Sequence, residues 1–389
     1  MQENNNPKKT VSKKGGRIIT VVIVSVLALL LVFTAAQTFG RMTIRTMADN
    51  VKAYFIGLGA GDGYPYSIDA LSVKDLRINN SNLHILTDNK TTVLNQTAKE
   101  IMPHEHKYQN PAMKIKESKL IVYDLASANY RLQTGSEITY EAEATGKITA
   151  AAIGKSGNYA LGTYGDSTQS VLTVYNSRHE EIFIWKTKTE RITDISLSDN
   201  GKFVAVSVID AADGKINSKL YVFDFKSEDY VSCHEYAGTT IIKVDYIKSN
   251  NLLVIGNNLR SYIKNNTDRK DDMSFGSNAI YNSCVTPKGR NAIVLSRYAS
   301  ESLSELKVYS NKNKEQFSVS FNKEMKWVDC DEKYTAVLFD NEVRTYSKNG
   351  KQVGIINFKG EPVRVAVDGS KTYVLTTSGL YCYDTRGTD

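Results

Sequence analysis

Cysteine is scarce in this 389-residue chain. There are four, Cys233, Cys284, Cys330 and Cys382, and no two are close enough to form a zinc site or a redox motif. The five histidines are scattered. There is no Gly-x-Ser-x-Gly elbow, no HExxH and no phosphate-binding loop. The common nucleophilic, zinc-hydrolytic and nucleotide-cleaving chemistries therefore have no support in the sequence, and neither does any bound cofactor. A basic surface is also missing. The formal net charge is +7, but Lys8, Lys9, Lys13, Lys14 and Arg17, against Glu3 alone, concentrate most of it in the first 17 residues. A nucleic-acid partner would need its basic stripe on the folded domain, so that class is set aside.

What is present begins with an apolar run. No charged residue occurs from Ile18 to Gly40, and Ile18 to Phe33 is strongly hydrophobic. A helix needs about 20 such residues to cross a bilayer, which predicts a transmembrane helix over 18–39. Five basic residues precede it. Arg41, Arg45 and Lys52 follow, dispersed and mixed with Asp49. The positive-inside bias then leaves residues 1–17 as a cytoplasmic tail and exports the rest. A cleaved secretory signal is the competing reading, with small residues at Thr34-Ala-Ala36. The run exceeds an h-region of roughly 7–15 residues, so a retained anchor is preferred. Residues 40–63 read as a juxtamembrane helix, with Ile44, Met47, Val51, Phe55 and Leu58 at helical spacing, then a hinge at Gly57, Gly59, Gly61 and Gly63.

From 64 to 389 short stretches rich in Val, Ile, Thr and Tyr recur in groups of four. In the clearest copy, Ile148–Ile153 leads through Lys155-Ser-Gly-Asn158 to Tyr159–Thr163, then Val171–Tyr175, then Glu181–Trp185. Another runs Ile192–Leu197, Phe203–Ser207, Lys219–Asp224. The interval is on the order of 40 residues, the length of a four-stranded propeller blade. Such sheets bury each other when arranged radially. The prediction is an all-β chain: a β-propeller of about eight (alternatively seven) four-stranded blades, preceded by a single transmembrane helix. The last copy has only three strands, and Tyr64–Asp69 is an extra strand at the front. Tyr66 to Asp69 is therefore expected to complete the final blade. The four cysteines are read as small buried hydrophobes, since a core this large does not need disulfides. Cys284 and Cys330, in equivalent strands of adjacent repeats, are the pair to test.

The order of basic tail, apolar helix, Gly61-Asp-Gly-Tyr-Pro65, His106-x-Tyr108-x-Asn110-Pro-Ala112 and Ser196-x-Ser198-x-x-Gly201-Lys202 resembles domain-of-unknown-function family 5711. That resemblance implies membrane-anchored, propeller-like proteins of Gram-positive bacteria at the cell surface. It implies no activity and no catalytic residues.

The candidate sites are few. His104-Glu-His106 would place two imidazoles on one face of a strand, yet no third ligand can be named, and ordinary strand residues are the simpler reading. Ser198-Asp199-Asn-Gly201 is similar to the aspartate turn of sialidase-type propellers, a structural device. Asp268-Arg-Lys-Asp271-Asp272 lacks the ligand alternation and closing Glu of a calcium loop and reads as a solvated loop tip. Trp185 and Trp327 are expected between blades.

The function favoured by these observations is a non-catalytic module that binds or scaffolds a protein or a cell-envelope glycan, tethered to membrane lipid by its helix. The alternatives are a glycan hydrolase or dehydrogenase with its site in the central channel, marked by inward-facing Asp, Glu, Arg or His from several blades, and a sensor acting through a membrane partner.

Overall fold

The computed structural model describes residues 25, 26 and 59–387, apart from 136, 213, 298 and 299. The chain divides into two compact units, Met1–Asp49 and Asn50–Asp389, and the fold belongs to the second. Apart from 25 and 26, the expected transmembrane helix over 18–39 lies outside the described residues, as does most of the 40–63 segment. Among the described residues no helix is long and apolar enough to cross a membrane.

Eight antiparallel sheets follow one another along the described chain, each built from consecutive strands. We number them blades 1 to 8. Their first strands are Val73–Asn79, Pro111–Lys116, Ile148–Ile153, Arg191–Leu197, Ile241–Ile247, Ala279–Val285, Trp327–Cys330 and Pro362–Asp368. First strands of neighbouring blades touch, and that of blade 1 packs against that of blade 8 as well as that of blade 2; blades 5 and 6 meet through Ile255 and Ile280 and through the Ile280 N–H, which donates to Asn257 O at 2.7 Å. They therefore ring a central channel, and the architecture is an eight-bladed β-propeller.

Burial explains the sequence pattern. The second strand of each blade lies between neighbouring blades and is apolar on both faces. In blade 4, Val204, Ala205, Val206 and Val208 are all buried. The outermost strands meet solvent and alternate, as Glu137–Glu143 does between exposed and half-buried residues. Each fully buried Val or Leu contributes roughly 1.5–3 kcal/mol, so the stabilisation is spread over all the interfaces between blades. Trp185 packs on Tyr221 and Phe223 of blade 4, as expected.

Blade 8 contributes three strands, Pro362–Asp368, Lys371–Thr376 and Gly379–Asp384. Its fourth position is taken by the start of the domain. Tyr66 N–H donates to Leu380 O at 2.8 Å, and Leu380 N–H donates to Tyr66 O at 3.0 Å. The closure is a single bridge, shorter than the strand expected over Tyr66–Asp69, because Asp69 caps a 3-10 turn at Ala70–Ser72.

The described part of the glycine-rich stretch is fastened to blade 1. Gly61 N–H donates to Thr97 Oγ1 at 2.9 Å and Gly63 N–H to Thr97 O at 3.2 Å. Asn95 Nδ2 donates to Gly59 O at 3.1 Å. A Cβ on Gly61 would collide with the backbone of Thr97 and Lys99, so only glycine allows this approach.

Other local expectations changed. The blade 4 hairpin runs further than its apolar pattern, through Phe203–Ala212 and Lys215–Asp224. Asp271 and Asp272 lie in the outer strand of blade 5, Lys270–Ser274, rather than at a loop tip. Lys270 pairs with Asp272 at 2.9 Å there. Cys284 and Cys330 form a disulfide between the first strands of blades 6 and 7, while Cys233 and Cys382 are free and partly exposed. The uniform reading of four buried thiols is thus corrected: radial packing brings two equivalent positions to a Cα separation of 6.1 Å, within disulfide reach.

Candidate binding site in the central channel

The first strand of a blade has no further strand on its inner edge, so its backbone groups there need other partners. Side chains from the preceding blade supply several. Asp194 Oδ2 accepts from Val244 N at 2.8 Å, and Ser196 Oγ accepts from Tyr246 N at 2.8 Å, joining blade 4 to blade 5. Two blades' first strands further round, Asp329 Oδ2 accepts from Val367 N at 2.9 Å and Asp331 Oδ2 from Gly369 N at 2.6 Å, joining blade 7 to blade 8. Arg364 Nη2 donates to Lys74 O at 2.7 Å, joining blade 8 to blade 1. Blades 6 and 7 are joined covalently instead, by the Cys284–Cys330 disulfide.

Charge lies along the same wall. Arg77 pairs with Asp75 at 3.1 Å, Lys243 with Asp245 at 2.9 Å, and Lys116 with Asp199 at 2.7 Å. Lys114 of blade 2 reaches Asp194 of blade 4 at 2.8 Å. The first strand of blade 3, between these two in chain order, carries the small residues Ala150, Ala151 and Ala152, all buried. Asp75 raises the Arg77 pKa. Burial alone would raise that of Asp245, but Lys243 and Lys114 outweigh it and hold the carboxyl low. Asp329 differs. Burial pushes its pKa up to about 6, only partly offset by the Val367 N–H and by Arg77.

A second regularity shapes one mouth. The register of the first strand slips by one residue near its start in six blades, at Lys74, Thr149, Thr193, Ile242, Tyr281 and Val363. A β-bulge re-aims its extra side chain. Ile242 and Tyr281, 54% and 53% exposed, stand at the rim of a cavity of about 330 Å³. Arg77, Asn282, Trp327 and Asp329 line it further in.

The histidine pair behaves differently from a ligand set. His104 lies in the outer strand of blade 1, Glu100–Glu105, and His106 follows it. His106 is buried, stacks on Tyr108 at 4.9 Å, and its Nδ1 accepts from Tyr108 N at 3.3 Å. No group of three potential ligands occurs among the described residues. In the turn after the first strand of blade 4, Ser198 Oγ accepts from Phe203 N at 2.9 Å, while Asp199 is spent on Lys116. The serine therefore makes the turn bond anticipated for the aspartate.

Three buried arginines carried no sequence signal. Arg131 donates to Glu105 O at 2.7 Å and Thr91 Oγ1 at 2.7 Å in blade 1. Arg260 lies 4.4 Å from the Tyr309 ring centre, and burial pushes its pKa down to about 10. Arg290 donates to Asp331 O at 2.8 Å, Tyr334 O at 2.9 Å and Thr335 Oγ1 at 2.8 Å in blade 7. An isolated Arg in a strand reads as exposed, since its acceptors lie in another blade.

The profile of a family described as "Family of unknown function (DUF5711)" matches residues 67–380. The chain belongs to this family. The matched span of this DUF5711 protein runs from the closing segment beside Tyr66 to the third strand of blade 8. No curated protein matches it. Among solved structures it is similar to the C-terminal WD40 domain of Sif2, with a TM-score of 0.58 at 11% identity over 78% of this chain and 92% of that one. It is also similar to a structure described as the eukaryotic initiation factor, with a TM-score of 0.56 at 10% identity over 85% of this chain and 89% of that one. At these identities the likeness establishes the fold alone.

Proposed function

We propose that this DUF5711 propeller is a non-catalytic binding module, held at the membrane by the apolar segment 18–39 and exported by the charge bias around it. The observation that carries the binding reading is the way the channel spends its charges. Asp75, Asp194 and Asp245 are in ion pairs, and Asp194, Asp329 and Asp331 hold neighbouring backbone. General acid–base catalysis needs groups free to exchange protons with a substrate, and these side chains are engaged, Asp75 and Asp245 with a cation of their own strand and Asp194, Asp329 and Asp331 with the next blade. What they leave is a rigid ring with a partly apolar mouth, which suits recognition.

A photo-crosslinking side chain at Tyr281, on the mouth, and another at Ile184, exposed on the outer strand of blade 3, test the reading in intact cells. Crosslinks to a protein or an envelope polymer at Tyr281 are expected. Their absence at both positions would sink it. The export reading is tested by protease added outside intact cells, which should digest 64–389 and spare the tail.

One observation favours a second reading. Burial pushes the Asp329 carboxyl up to about 6 in a cavity, the direction a general acid needs. The other carboxylates beside it are paired, so the enzymatic reading ranks below binding.

A further inference from the structure

Three cations line the cavity: Arg77, Lys114 and Lys243. Each is matched by its own carboxylate, Asp75, Asp194 and Asp245, at 3.1, 2.8 and 2.9 Å. One lining carboxylate has no such match. Among the described residues no cation stands within ion-pair distance of Asp329; its carboxylate is met by the Val367 N–H at 2.9 Å and by the Cys330 N–H, with Arg77 acting on it from farther away. Arg364 does not fill this role. Its guanidinium lies 4.2 Å from the Trp327 ring centre and donates to Lys74 O.

The same cavity holds a second unmet acceptor. Asn282 Oδ1 is buried and has no hydrogen-bond partner. Asn282 occupies in blade 6 the position after the bulge that Asp194 occupies in blade 4, yet it finds no neighbouring N–H. A buried carbonyl without a donor is destabilising, because it has given up its water without replacement. Asn282 and Asp329 are on adjacent first strands, joined two residues and one residue further on by Cys284 and Cys330. Tyr281 and Trp327 add aromatic surface to the same wall, and aromatic faces attract cations.

The unmet demand of the cavity is therefore for positive charge and N–H donors, beside apolar surface, in about 330 Å³. A divalent metal does not fit, because one carboxylate and one amide are too few ligands. We propose that the channel mouth between blades 6 and 7 binds a primary ammonium group, its charge on Asp329 and an N–H on Asn282 Oδ1, with its carbon chain against Tyr281 and Trp327. The inference rests on the binding reading and narrows it to one chemistry. A free alkylamine and the side chain of a protein-borne lysine share that chemistry.

The test is calorimetric titration of the full chain in detergent with n-butylammonium, butyrate, tetramethylammonium and Nα-acetyl-lysine methylamide. Butylammonium should bind, butyrate should not, and tetramethylammonium, which has no N–H, should bind at least about tenfold more weakly, a difference of roughly 1.4 kcal/mol. Tighter binding of the lysine derivative than of butylammonium points to a peptide-borne group, and the reverse order to a free amine. Asp329→Asn keeps an oxygen for Val367 N–H and should weaken butylammonium about tenfold or more. Tyr281→Ala, at the exposed rim, should also weaken it, which keeps the test open if the first variant folds poorly. Butyrate binding as tightly as butylammonium, no heat from any amine, or unchanged affinity in both variants would overturn the proposal. Crosslinks at Tyr281 that persist without amine binding would remove this inference and leave the binding reading standing.

Discussion

Tyr66 and Leu380 exchange both of their backbone hydrogen bonds, at 2.8 and 3.0 Å, and so join the first described segment of the domain to its last strand. The two residues are 314 positions apart in the sequence. The ring is closed by noncovalent pairing of its ends, beside a segment that also grips blade 1 through Gly61 and Thr97.

Closure should therefore be sensitive to the donor at position 66. Tyr66→Pro removes one N–H and should cost about 1–3 kcal/mol, read as a lower denaturant midpoint. Deleting 64–70 should cost more. An unchanged midpoint in the deletion would show that the bridge contributes nothing to closure.

The disulfide makes a larger prediction. Cys284 and Cys330 are 46 positions apart, and a loop of that size corresponds to about 4 kcal/mol in the chain-entropy account. Cys284→Ser, or reduction, should lower the unfolding midpoint accordingly. Thiol titration of the unfolded chain should find two thiols before reduction, from Cys233 and Cys382, and four after it.

Arg290 should be among the least replaceable side chains. It is 2% exposed and bonded to three groups of blade 7. Arg290→Ala takes this donor from Asp331 O and Thr335 Oγ1 and leaves Tyr334 O only the Asp331 N–H, and should cost about 1–3 kcal/mol. Arg290→Lys keeps the charge but cannot span the same acceptors, so it should recover only part of the loss. Equal stability of wild type and Arg290→Ala in urea would contradict this.

Acid should destabilise the domain through its buried histidines. Burial pushes His84 to about 4, and burial together with Arg131 pushes His106 to about 4. Both values lie below the ordinary value of about 6.5, so the unfolded chain binds these protons more readily. Their contribution is complete above pH 6.5 and is lost as the pH falls towards 4. His106→Gln should flatten the acid limb of stability in that window. An unaltered pH profile would exclude His106 as a source.

The channel ion pair between blades 2 and 4 is open to a double-mutant cycle. Asp194→Asn keeps an acceptor for Val244 N–H and removes the charge facing Lys114, whereas Asp194→Ala removes both. The alanine variant should be less stable than the asparagine variant. Lys114→Met should be less damaging on the Asp194→Asn background than alone, because a lone buried cation is costlier than a missing pair.

Much of the blade architecture was visible in the chain because its causes are local. Alternation of period two and Gly, Asn and Ser turns are written in consecutive residues, so Ile148–Ile153 and Tyr159–Thr163 were found with their observed bounds. The outer strand of blade 5, Lys270–Ser274, reads as a loop tip from sequence because it is mostly charged and exposed. Local pattern reports burial, and those residues have little.

The sequence by itself determined a four-strand repeat, three strands in the last copy and a spare one at the front, which together imply a ring. Only the tertiary structure decided what the ring encloses. Cys284 meets Cys330, Lys114 of blade 2 reaches Asp194 of blade 4, and Asp329 has no cation at ion-pair distance among the described residues, because radial packing sets the distance between first strands. That distance joins residues tens of positions apart, and no local pattern encodes it. The scarcity of cysteine thus has a specific outcome: two of the four are joined beside the cavity that Cys284 lines.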